Sequence, residues 1–267
     1  MSALPDSNYK YMEFQTLPGD LDALTKMGLT TKKGEFTSLI RHARNTKLDL
    51  LGVVADLYQA KTGKVQLKEQ KVITDDKDSN IIFQNNSLLP WLTAYQNVEL
   101  VVEQVYKDKM DKEEKKAWIE YNLQLVYMDH DMDKRPIEIS GSMTQRIGLA
   151  CALAMQPELL VVDEPYGESD SVTRKHIQDL LVEIQKKLNN TIVLFTHDIN
   201  EAVLLSDNIV MLTDGPTIQI GDVLNVNLRR PRKRNNLPKN NNYNRLRGEI
   251  LSFLYGTNLS NNKEVTA

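Results

Sequence analysis

The chain is expected to fold as an α/β protein, a parallel sheet covered by helices on both faces and interrupted by a helical insert. Three observations carry this expectation. In the second half, short apolar runs alternate with amphipathic stretches: helix 143–156, strand "ELLVVDEP", helix 172–188, strand "TIVLFTH", helix 199–206 and strand "NIVMLT". From Leu88 to about Met132, apolar residues recur instead at three- and four-residue spacing with charges between them. And "FTSLIRHARNTKLDLLGVVADL", residues 36–57, reads as a buried strand Phe36–Ile40, a turn, and an apolar helix Lys47–Leu57. That last order is the layout of a phosphate-binding loop, with Lys47 at the phosphate-lysine position.

Taken in order, residues 10–40 read as short strands and turns, ending in "KKGEFTSLI", where a Gly-led turn feeds the strand. "KTGKVQL" and "NIIFQ" are two further strands separated by the polar turn "TDDKDSN". "TAYQNVELVVEQVY" and "KEEKKAWIEYNLQLVYM" supply the helices of the insert, which ends near "DKRPIEIS". From about Arg229, "RRPRKRNNLPKNNN" is basic and rich in asparagine and is expected to be a mobile, solvated tail before a last amphipathic stretch, "YNRLRGEILSFLYG"; the alternatives for "RRPRKR" are a contact with anionic lipid or a partner, or a nucleic-acid patch. These shifts divide the chain into core residues 1–84, a helical subdomain 85–138, the second part of the core 139–226, and a tail with its helix at 227–267. There is no internal repeat.

Bulk properties narrow the function classes. With 267 residues, 26% charged and 41% hydrophobic, the chain has room for one large α/β domain or two smaller ones. A net charge of −3 gives no general attraction to nucleic acid. Cys151 stands alone in the apolar run "IGLACALAM", so no disulfide framework is possible and a buried, inert thiol is expected. "MSALPDSNYKYMEF" lacks the pattern of a secretory signal, and no apolar run approaches the roughly 18 residues that span a bilayer. The chain is therefore expected in the cytosol, with any membrane link made through a partner.

Four segments carry chemistry. "ELLVVDEP" ends an apolar strand in Asp163 and Glu164, at the carboxyl end of a parallel strand where α/β sheets bind ligands. In a nucleotide site the first carboxylate holds Mg²⁺ and the second polarises water, while elsewhere such a pair is a solvated strand exit. "ISGSMTQR" puts Ser140 and Gly141 before a helix, either as an anion-facing turn or with Ser140 as a plain N-cap. His197 in "LFTHD" and Gln84 in "IIFQNNSLLPWLT" each follow a strand directly.

In this order the segments resemble the nucleotide-binding subunit of an ABC transporter, which implies a P-loop NTPase-like core with a helical subdomain insert. Gln84 matches the Q-loop and "ISGSM" the signature, with Ser140, Gly141 and Ser142. Asp163 and Glu164 match the Walker B end, "GESD" ending at Asp170 the D-loop, and His197 the switch histidine. Phe14 falls where the family places an aromatic that stacks on adenine. The resemblance runs from about Met12 to the C-terminus. It implies ATP and Mg²⁺ as ligands, with Asp163 and Gln84 toward the metal, and a place on the cytoplasmic face of the membrane beside transmembrane permease subunits. "EAVLLSDNIVMLTDGPTIQIGDVLNVNLRRPRKR" and "YNRLRGEILSFL" look most like importers of nitrate, nitrite, cyanate or bicarbonate, and "SLLPWLTAYQNVEL" agrees with that importer group, which includes relatives for taurine and sulfonates.

The same register exposes a departure. The family's Walker A loop follows a pattern of the type G-x-S-G-x-G-K-S-T; here the matching residues run from Arg41 to Asp49, and of that pattern only Lys47 survives. Arg41, Arg44 and Thr46 replace the glycines that permit left-handed backbone and close approach of a phosphate. Leu48 stands where a hydroxyl should ligate Mg²⁺, and Asp49 brings a carboxylate to the ligand's place. Two like charges about 4–5 Å apart repel by about 4 kcal/mol at an effective dielectric near 20. The expectation is a degenerate Walker A loop and pairing with a second, intact ATPase subunit. Glu164 and His197 then belong to the defective site and are vestigial, while the signature serves the partner's nucleotide. The alternatives are an ATPase active in its own right, or a regulatory ABC-fold protein with no transporter.

Overall fold

The computed structural model describes residues 10–16, 30–41, 63–67, 70–71, 79–82, 88–157, 159–165, 171–213 and 220–261. In chain order the strands are β1 (Lys10–Thr16), β2 (Thr30–Lys32), β3 (Phe36–Ile40), β4 (Gly63–Leu67), β5 (Gln70–Lys71), β6 (Ser79–Ile82), β7 (Leu159–Asp163), β8 (Thr191–Thr196), β9 (Asn208–Leu212) and β10 (Ile220–Asn225). The helices are α1 (Ala94–Val105), α2 (Lys112–Leu125), α3 (Gly141–Ala154), α4 (Ser171–Leu188), α5 (Ile199–Leu205) and α6 (Asn241–Asn261). They form two compact units, Met1–Asp76 with Thr191–Ala267, and Lys77–Asn190. The expected helix Lys47–Leu57 lies outside the described residues.

In the first unit, β2-β1-β4-β5 make an antiparallel sheet in which Phe14 pairs with Val65. The second sheet of this unit runs β10-β9-β3-β8. β3 pairs in parallel with both β8 and β9, so all five of its residues are buried. Its two hydroxyls must then find partners inside. Thr37 Oγ1 lies 3.0 Å from Thr31 Oγ1, and Ser38 Oγ lies 2.5 Å from Ser206 Oγ. β10 closes the edge antiparallel to β9, with a register shift between Ile220 and Asp222. The glycine between them leaves room for the Phe253 ring of α6: a Cβ at Gly221 would fall 2.2 Å from the tip of that ring, which would have to shift. Tyr243, Leu246, Ile250 and Leu254 bury one face of α6, as its amphipathic spacing requires.

The stretch after β10 is the main correction to the expected mobile tail. Arg232 is buried, its side chain only 3% exposed. Its Nε donates to the Leu228 carbonyl, Nη1 to those of Val203, Leu204 and Ser206, and Nη2 to that of Val226. Arg230 donates to Asp207 Oδ1 and to the Leu205 carbonyl, while Asp207 Oδ2 accepts from the Phe36 N–H. The two arginines thus satisfy carbonyls at the C-terminal end of α5, where no intrahelical donor remains. The run is drawn inward by hydrogen-bond demand that its charge count does not reveal.

In the second unit, β6 and β7 pair in parallel and helices α1, α2 and α3 pack together. Val98, Val102, Ile119, Leu123, Ile147 and Leu153 form their shared core. Capping boxes start two of them, Thr93 with Gln96 for α1 and Asp111 with Glu114 for α2. α3 begins two residues before the expected position 143 because Ser140 takes the N-cap, and Cys151 lies within it. Cys151 is half-buried rather than fully buried as expected, but desolvation of its thiol still pushes the pKa up to about 12, consistent with an inert thiol.

Candidate functional site

The signature segment sits at the N-terminus of α3. Pro136–Glu138 form a short 3-10 turn held by Glu138 Oε2, which accepts from the Arg135 N–H at 2.7 Å. Ser140 follows in extended conformation as the N-cap, its Oγ accepting from the Met143 N–H at 3.3 Å. Its carbonyl accepts from the Thr144 N–H and hydroxyl at 3.0 and 3.1 Å. Ser142 Oγ stands 2.8 Å from Ser140 Oγ, so the serine in place of the family's second glycine engages the cap itself. The N–H groups of Gly141 and Ser142 belong to the first turn, where the helix supplies no acceptor. Ser140 and Gly141 are exposed, and among the described residues nothing lies within 4 Å of where a Gly141 Cβ would be. Open donors at the positive end of a helix suit an anion.

Also in this unit, β7 runs buried from Leu159 to Val162 and delivers Asp163, half-buried, at its carboxyl end. Asp163 offers the hard carboxylate oxygen that suits Mg²⁺, an ion that takes one or two protein carboxylates and keeps water. Glu164 follows with φ 38°, in the left-handed region. For a residue with a Cβ that conformation costs about 1–2 kcal/mol. Strain of this kind at a strand end is a frequent companion of function, and no sequence signal announced it.

The first unit holds His197. β8 ends at Thr196, in register with Ile40, the last residue of β3. Arg41 and His197 therefore leave neighbouring parallel strands at the same level, Arg41 buried and His197 exposed. The turn at His197 is fixed from both sides. Thr196 Oγ1 donates to the buried Glu201 carboxylate at 2.5 Å and accepts from the Asp198 N–H at 3.0 Å. Asp198 then caps α5, accepting from Asn200 and Glu201 N–H groups at 2.9 and 3.3 Å. Thr196, Asp198 and Glu201 were not singled out by sequence reasoning. The spacing Asp198-x-x-Glu201, an acidic cap followed by an acid at the third helical position, was the available signal.

Lys47, Gln84 and Asp170 lie outside the described residues, as do Arg44, Thr46, Leu48 and Asp49. Phe14 is placed in β1 by its backbone, its side chain lying outside the description.

The ABC transporter family profile matches residues 24–167, more than half of the chain. The chain belongs to the ABC transporter family. The cassette is similar to the nitrate transport protein NasD of Klebsiella oxytoca, 46% identical over 242 residues, which cover 91% of this chain and 92% of that protein. It is also 46% identical over 236 residues to the bicarbonate transport ATP-binding protein CmpC of a Synechocystis species, covering 88% of this chain and 35% of that longer protein. Among solved structures, a dimeric post-hydrolysis state of the ATP-binding cassette MJ0796 bound to ADP and Pi superimposes with a TM-score of 0.67 at 27% identity. The match covers 82% of this chain and 98% of that one. The fold is that of an ABC ATPase cassette.

Proposed function

We propose that this cassette is the ATP-binding subunit of an anion importer, nitrate, nitrite or bicarbonate being the best candidates, and that it works beside a second, intact ATPase subunit because its own Walker A loop is impaired. The carrying observation is the contrast between two phosphate-facing segments. The signature turn at Ser140–Ser142 keeps open donors at a helix N-terminus, while Arg41–Asp49 keeps Lys47 but no glycine and no Mg²⁺-binding hydroxyl. The names of NasD and CmpC support the substrate class.

In a head-to-tail pair, each nucleotide lies between the Walker motifs of one subunit and the signature of the other. The damaged loop then disables one composite site and leaves the other to work. In the working site this chain contributes Ser140, Gly141 and Ser142 as donors to the terminal phosphate, and Asp170 across the interface. Were the impaired site to hold nucleotide, Phe14 would face adenine, Lys47 the phosphates, and Asp163 and Gln84 would hold the Mg²⁺; the catalytic pair Glu164 and His197 would be vestigial there. Mg²⁺, where bound, neutralises phosphate charge. Among the described residues no helix is long and apolar enough to cross a membrane; contact with transmembrane permease subunits at the cytoplasmic face is made through the helical subdomain, with Gln84 and Trp91 at its entrance.

The test is to assemble the transporter and replace two glutamates separately, Glu164→Gln here and the equivalent glutamate in the partner ATPase. Near-wild-type ATP turnover for the first and near-complete loss for the second are expected. Equal losses would overturn the asymmetric scheme and favour a cassette active in its own right.

A further inference from the structure

The exposed signature turn sits at one end of α3; at the opposite end, where Leu153 and Ala154 are buried, a side chain of α2 meets the last carbonyl of the helix. A helix of this length spans about 21 Å, and its last carbonyls lack intrahelical donors. The indole Nε1–H of Trp118, on α2, donates to the carbonyl of Ala154, the last residue of α3, at 2.8 Å. Trp118 is itself fixed in place. Its ring stacks on Tyr121 with centroids 5.4 Å apart, and Lys187 of α4 places its Nζ 5.7 Å from the Tyr121 ring centre. The Trp118 carbonyl also accepts from Asn122 Nδ2 at 2.8 Å.

α3 is packed through its middle, where Ile147 and Ala150 are fully buried, so a shift at one end is answered by an opposite shift at the other. A tilt of about 6° about that middle moves Ala154 and the first turn by about 1 Å each. A misplacement of that size, made far from the chemistry, costs up to about a hundredfold in rate where groups must align.

We propose that Trp118 is a positioning residue for the signature: by holding the Ala154 carbonyl it sets the axis of α3, and with it the place of Ser140 and Gly141 at the nucleotide they serve. This rests on the function proposed above, in which this chain's signature completes the working site.

The experiment measures ATP turnover and melting temperature of the assembled transporter carrying Ser140→Ala, Trp118→Phe, or both. Ser140→Ala is expected to lower turnover by roughly tenfold or more, the scale of one lost donor to developing charge. Trp118→Phe keeps an aromatic ring, removes the N–H, and is expected to lower turnover roughly three- to tenfold. The double variant should lose less than the product of the two single losses, because both changes act on the same turn. Ile250→Val, on the buried face of α6, should lower the melting temperature and leave turnover unchanged. Should Trp118→Phe fail to assemble, Tyr121→Leu, which removes the stacked neighbour, should give a smaller loss that is again less than multiplicative with Ser140→Ala. Multiplying losses, or no loss from Trp118→Phe, would overturn the positioning role while leaving the proposed function standing. No loss from Ser140→Ala would overturn the proposed function, and this inference with it.

Discussion

Arg232 shows how far a residue's role can depart from its neighbourhood in sequence. "RRPRKR" has the composition of a solvated tail, yet one member of it places three guanidinium nitrogens against five backbone carbonyls. Burial first, and then the neighbouring Arg230, lower its pKa to about 10 against the pull of Asp207, so it stays charged at neutral pH. Arg232→Ala should cost about 3 kcal/mol, because the end of α5 would be left with buried, undonated carbonyls. In a thermal melt that corresponds to a fall of roughly 6–9 °C. Arg232→Lys should recover little of it, since an ammonium cannot reproduce the planar fork. An unchanged melting temperature for Arg232→Ala would mean that the segment carries no stabilising weight. Nothing local in the sequence distinguishes Arg232 from Arg229 or Lys233; the carbonyls that select it come from Val203, Leu204 and Ser206, far back in the chain.

Among the elements, those with a buried face were the legible ones. β3, β7, β8 and β9 fall where apolar runs placed them, and the helices of the insert follow their three- and four-residue spacing. β10 escaped notice for a physical reason: it is an edge strand with Gly221, Asp222, Val223 and Asn225 exposed, so no face imposes alternation. His197 and Ser140 were read from motifs, whereas the Thr196–Glu201 bond that fixes the turn between β8 and α5 needed the fold. Helix ends offer a separate test. α3 closes with Gln156 at φ 56°, its N–H donating to the Leu153 carbonyl at 2.9 Å. Glycine adopts this left-handed position without the Cβ penalty of about 1–2 kcal/mol, at an entropic cost of about 0.5–1 kcal/mol. Gln156→Gly should therefore stabilise the cassette by about 0.5–1 kcal/mol in denaturant unfolding. A loss of stability would show that Gln156 makes a compensating contact through its side chain.

At the scale of the whole molecule, the proposed division of labour between the signature and Walker A segments would decide what a pair of subunits can do. On that proposal, two copies of this chain carry two impaired Walker A loops, whereas one copy beside an intact subunit leaves one complete composite site. The proposed asymmetry rests on the residue types Arg41, Arg44, Thr46, Leu48 and Asp49, which replace the glycines and the Mg²⁺-binding hydroxyl around Lys47 and add a carboxylate. Its most direct test is a calorimetric titration of the full-length isolated chain with Mg-ATP. Binding weaker than about 100 μM, or too weak to detect, is the predicted result, the residual charge of three cations giving only a few kcal/mol once two acquired obstacles are set against it. A sub-micromolar dissociation constant would contradict it.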